Sequence, residues 1–83
     1  MLQSVKPDPA LEDRILAAHA ANDLRALVDC YERAAGGLEA SGKSDESCFF
    51  LTHAYVFALD AGDPRAAELR ARLVAQGRET PDP

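Results

Sequence analysis

An all-α fold is predicted for this chain, and three observations predict it. Residues 24 to 38 carry a helical-period apolar stripe, cap-type residues recur before each periodic segment, and no strand-like alternation occurs anywhere. The chain has 83 residues, enough for one domain whose single core leaves only a small stability margin. With 47% hydrophobic and 28% charged residues it has the composition of an ordinary globular protein.

The first helix is expected over 9–21. Asp8-Pro9 places an N-cap acid before a proline at the first helical position, and Leu11, Ile15 and Ala18 then share one face. The second, over 23–41, has the cleanest stripe: Leu24, Leu27, Val28, Tyr31, Ala34, Ala35 and Leu38. Gly36-Gly37 weakens its end, and Gly42 is placed to stop it. Ser44 is the expected cap of a third helix over 44–61, whose first turn holds Asp45 and Glu46. Asp63-Pro64 repeats the acid-proline start for a fourth helix over 64–77, with Ala66, Leu69 and Leu73 inward. Residues 1–7 and 78–83 are expected to fray as tails of one domain spanning 1–83.

The third helix is apolar almost all round. At 100° per residue, Cys48, Leu51, Thr52, Tyr55 and Leu59 share one face, while Phe50, Ala54, Phe57 and Ala61 share the opposite one. Such a helix is expected to be buried, touching the first, second and fourth helices at once.

Two halves of the chain align at an offset of 40 residues: Leu11 with Leu51, Ile15 with Tyr55, Ala18 with Ala58, Asp23 with Asp63, Arg25-Ala26 with Arg65-Ala66. A repeated helix pair is the mark of a solenoid-type unit. The second half resembles a tetratricopeptide-type repeat through Leu51, Tyr55, the Gly62-Asp63 turn and Ala67. The first half does so through Asn22-Asp23, Tyr31 and Ala34. The period is longer than the roughly 34 residues of that family, and Thr52 stands where a small residue is usual. The resemblance implies two helix pairs and a protein-binding groove. On the third helix the groove positions would fall on Glu46, Phe49, His53, Val56 and Phe57, and on the first on Asp13, Leu16, Ala17 and Ala20.

Charge narrows the function classes. The net charge is −5 and the isoelectric point about 4.8, which disfavours nucleic acid and anionic membranes as partners. No run approaches the roughly 20 apolar residues of a membrane span, and "MLQSVKPDP" does not read as an export signal. A cytoplasmic location is expected, with Cys30 and Cys48 as reduced thiols. Seven Arg against two Lys, with abundant Ala, suggests a GC-rich bacterial genome.

"GLEASGKS", residues 37 to 44, fits the phosphate-loop pattern G-x-x-x-x-G-K-[ST]. A working phosphate loop follows a buried strand, and "VDCYERAAG" continues a helical stripe instead. The acid that would help hold Mg²⁺, Asp60, would stand about 24 Å from Ser44 along one helix at 1.5 Å rise per residue. We read Lys43 and Ser44 as a chance match with no nucleotide bound. Metal ligation is not expected either. Glu46, His53 and Asp60 share a face but are spaced by seven, about 10.5 Å per step, and helical ligands chelate from three or four apart. No nucleophile, base and orienting group converge, so the chain is read as a non-enzyme without a cofactor.

Two surfaces remain. Arg65, Arg70, Arg72 and Arg78 form a basic face on the fourth helix, with Glu68 and Arg72 as an expected i,i+4 pair. Phe49, His53 and Phe57, flanked by Glu46 and Asp60 and joined by Asp13 and Leu16 from the first helix, make the candidate partner-binding surface. The expected function is a small interaction module binding a protein segment bearing apolar and basic residues. A homodimeric accessory subunit is the alternative, and a nucleotide- or small-ligand-binding protein a third reading.

Overall fold

Turn chemistry sets the architecture. A computed structural model of the chain describes residues 9–78, and the expected N-cap Asp8 and most of both tails lie outside them. Four α-helices follow one another: α1 (Pro9–Ala21), α2 (Leu24–Ala40), α3 (Ser44–Ala61) and α4 (Arg65–Ala75). Among the described residues every regular element is a helix, as the stripes predict.

All four helices stop in the same way. A residue with positive φ follows the last turn: Asn22 (54°), Gly42 (79°), Gly62 (65°) and Gly77 (72°). The next N–H then returns to the carbonyl five residues back: Asp23 to Ala18, Lys43 to Leu38 and Asp63 to Ala58 at 2.9 Å, Arg78 to Leu73 at 2.8 Å. Asn22, the repeat equivalent of Gly62, can take this conformation because its short polar side chain tolerates it.

The starts differ. Asp23 caps α2 with a side-chain oxygen that accepts the Ala26 N–H at 3.2 Å. The expected Ser44 cap on α3 is not what forms. Lys43 is the N-cap, and no side chain bonds the helix start. The reason is the preceding turn: Lys43 is held by its N–H to Leu38, and its carbonyl already accepts the Ser47 N–H at 2.9 Å. Ser44 therefore enters the helix as its first residue. Asp63 is not the N-cap expected of it either: Pro64 holds the cap position, α4 begins one residue later at Arg65, and Asp63 accepts the Arg65 N–H at 2.9 Å from just outside the helix.

The helices pack in sequence order. α2 lies most extensively against α3, with α1 on α2 and α4 on α3, and no other pair of helix backbones comes close. Small residues, Ala35, Ala54 and Ala58, are fully enclosed in the core along with Val28 and Leu69. The Ser47 hydroxyl donates to the Ala35 carbonyl at 2.8 Å, fixing the first turn of α3 on α2. Leu11, Ile15 and Ala18 of α1 and Leu73 of α4 are buried as their stripes require.

Side chains close the gaps between non-neighbouring helices. Arg65 bonds Asp63 and Asp29 and lies 3.7 Å from Glu32, while Arg72 reaches Glu32 at 3.2 Å and Glu39 at 3.8 Å. α4 is thereby laced to α2. This corrects the expected basic face: Arg65 and Arg72 are spent on acids of α2, and Arg72 meets Glu32 and Glu39, not Glu68. Arg78, expected to begin a fraying tail, pairs with Asp45 on α3.

Candidate functional site

Tyr31 reaches out of the α2 stripe and organises the candidate surface. Its ring stacks against three residues of α3: Phe50, His53 and Phe57, with centroids 6.0, 5.3 and 5.7 Å away. Its hydroxyl lies 3.2 Å from His19 Nε2 of α1, and the His19 ring meets Phe57 edge-on at 5.7 Å. These rings join α1 to α3, whose backbones stay apart. The expectation that α3 packs directly on α1 gives way to a bridge of rings, because Tyr31 fills the wedge between them. Burial pushes the Tyr31 phenol above its ordinary pKa, and charge on neighbouring Cys30 acts in the same direction.

From that cluster a row of rings runs outward along α3. His53 donates its Nδ1–H to the Phe49 carbonyl at 2.9 Å, four residues back on the same helix. The Phe49 ring lies 4.7 Å from the His53 ring and 5.5 Å, edge-on, from Phe50. The three expected contact residues therefore have different surroundings. Phe57 and His53 are half-buried against Tyr31, while Phe49 is 60% exposed.

Sequence reasoning misplaced two residues of this helix. Thr52 and Leu59, grouped with Cys48 and Leu51 on one face of a helix expected to be buried, point to solvent. Thr52 donates its hydroxyl to the Cys48 carbonyl at 2.8 Å, which satisfies it without a partner helix. Leu59 is 54% exposed and Val56 46%. Between them Thr52, His53, Val56 and Phe57 line a shallow, mostly apolar recess of about 220 Å³.

Leu16 stands 63% exposed on α1, one turn before His19, with Asp13 exposed beside it. Asp60 is exposed and Glu46 half-buried at opposite ends of the α3 stripe. Among the described residues no His, Cys, Asp and Glu side chains gather in a group of three that could hold a metal. Cys30 and Cys48 are free and buried. Among the described residues no helix is long and apolar enough to cross a membrane.

The phosphate-loop letters have a different setting from the one their pattern requires. Gly37 to Ala40 are the last residues of α2, Ser41 and Gly42 form the turn, and Ser44 opens α3. The segment is helix–turn–helix, with Lys43 at a cap held by backbone bonds.

Compared with protein-family models, with curated proteins and with solved structures, the chain matches none.

Proposed function

We propose that this chain is a small, non-enzymatic interaction module that binds a segment of another protein through the outward side of α3 and the adjoining part of α1. The observation that carries it is the exposure of Phe49, Val56 and Leu59 on one helix whose opposite side is fully packed. Exposed apolar residues scattered singly need no explanation, whereas a contiguous stripe on a small domain is a contact surface. Leu16 is likewise exposed on α1, one turn before His19, whose ring meets Phe57.

Support also comes from the way the surface is held. Tyr31 and His19 pack against His53 and Phe57, which line the recess beside Val56. A preorganised apolar surface loses less freedom on binding. The helix-pair repeat and its resemblance to tetratricopeptide-type units agree with such a role, in which the first helix of each pair presents the binding side. The helical setting of residues 37 to 44 supports reading them as a connector and not a nucleotide site.

The test is site-specific photo-crosslinking in the cells that make the protein. A photoreactive residue at Val56 should trap another protein, while one at the exposed Ala67 of α4 should not. Crosslinks at both positions alike, crosslinks only to a second copy, or none at all would overturn the reading.

A further inference from the structure

A row of four outward-facing residues on α3, three of them apolar, has a spacing of its own. Phe49, Thr52, Val56 and Leu59 follow one another at intervals of three, four and three, all outward-facing. That is the a/d spacing of a heptad seam, the pattern that a second helix fills with knobs into holes. Measured by helical rise, the seam runs about 15 Å from Phe49 to Leu59. In the same register Glu46, His53 and Asp60 fall at successive e positions along one flank. The g positions are Cys48, which is buried, and Tyr55, which is half-buried, so only one flank is open.

Charge on that flank decides what can lie there. α3 contains Asp45, Glu46 and Asp60 and no Lys or Arg. Asp45, the next seam position toward the N-terminus, is taken by Arg78. Glu46 and Asp60 meet no cation among the described residues. A second copy is a poor fit. In an antiparallel pair e faces e, bringing Glu46 against the partner's Asp60. In a parallel pair e would face g, where Cys48 and Tyr55 are turned inward.

Resting on the binding role proposed above, we infer that the occupant is an amphipathic helix of another protein, with apolar a and d residues and Lys or Arg on the flank facing Glu46 and Asp60. The two acids stand about 21 Å apart along the axis, so the cations belong roughly two heptads apart on the partner. Aliphatic seam residues of the partner would pack on Phe49 and Val56, and the recess beside His53 would take one of them.

Two synthetic three-heptad peptides test this, both with Leu at a and d, one with Lys and one with Glu at all e and g positions. Binding is read by titration calorimetry and by chemical-shift changes on the full chain. The Lys peptide should bind at least about tenfold tighter than the Glu peptide at low salt, and the gap should narrow as salt rises. Shift changes should centre on Phe49, Val56 and Leu59. Val56→Ser should weaken the Lys peptide while leaving the helical circular dichroism unchanged. The double variant Glu46→Gln with Asp60→Asn should bring the two peptides to near-equal affinity. Equal binding of both peptides by the native chain, binding of neither, or a dimer in sedimentation that Phe49→Ser dissociates would overturn the inference. Failure of both peptides alongside a surviving crosslink at Val56 would sink the helix assignment and leave the broader binding role standing.

Discussion

Tyr31 and His53 stack with ring centroids 5.3 Å apart and planes inclined by 24°, joining the middle of α2 to the middle of the candidate surface. One ring belongs to the α2 stripe and the other to the exposed flank of α3. The contact therefore joins the packed core to the surface proposed for binding, and substitutions on either side of it test stability and that proposal separately.

Tyr31→Ala removes the centre of the aromatic cluster. Replacing a large aromatic in a core by Ala costs about 3 to 5 kcal/mol. Tyr31 is half-buried, so the expected loss is lower, about 2 to 4 kcal/mol. For a domain of this size that lowers Tm by roughly 10 °C or more. Thermal unfolding followed by circular dichroism checks it, and a Tm unchanged within a few degrees would contradict the bracing role.

Acid sensitivity centres on Asp63, which is only 7% exposed. Its carboxylate accepts bonds from the Arg65 guanidinium and from the Arg65 backbone N–H, which hold its pKa down to about 2. A carboxyl depressed in the folded state stabilises the fold above its unfolded pKa near 4 and loses that contribution as pH falls through about 2. Stability from this group should be level above about pH 5 and decline between roughly pH 4 and 2. Urea titrations of the native chain and of Asp63→Asn across this range should converge toward the acid end. Parallel curves would show that the Arg65 grip contributes nothing.

Much of the fold can be read from the chain because helix starts and stops are local. Leu24 to Leu38 form a phased stripe, and Asn22, Gly42 and Gly62 end their helices through backbone conformation alone. α3 was harder for a physical reason. Apolar residues surround it, so periodicity carries no phase, and Thr52 and Leu59 could be turned either way. Only the packing of α3 on its neighbours, which encloses Ala54 and Ala58, decides which side faces water. The arginine lacing of α4 to α2 was equally hidden, since Arg72 and Glu32 lie 40 residues apart and no local rule pairs them.

Gly62→Ala tests the shared stop. Gly62 has φ 65° and an added Cβ would meet open space, so any loss comes from the backbone conformation and not from a clash. The expected cost is about 1 to 2 kcal/mol. Gly36→Ala, within helix α2 and equally uncrowded, should instead be neutral or stabilising by up to about 1 kcal/mol. Chemical denaturation of the two variants side by side gives opposite signs if the stops are as described.

The last prediction separates Phe49 from Phe57, which the sequence treats alike. Phe57 is half-buried, with Tyr31 and His19 both 5.7 Å from its ring, so Phe57→Ser should destabilise the fold by about 2 to 3 kcal/mol. Phe49 is 60% exposed and touches only the edge of the cluster, so Phe49→Ser should cost under about 1 kcal/mol. Changing both together would mix loss of fold with loss of contact, and the single variants avoid that. Phe49→Ser should keep native Tm within a few degrees and abolish crosslinking from Val56. Phe57→Ser should lower Tm clearly, and its crosslinking should return on cooling to temperatures where the variant is folded. If Phe49→Ser unfolds the chain while Phe57→Ser does not, the outward side of α3 has been assigned the wrong way round.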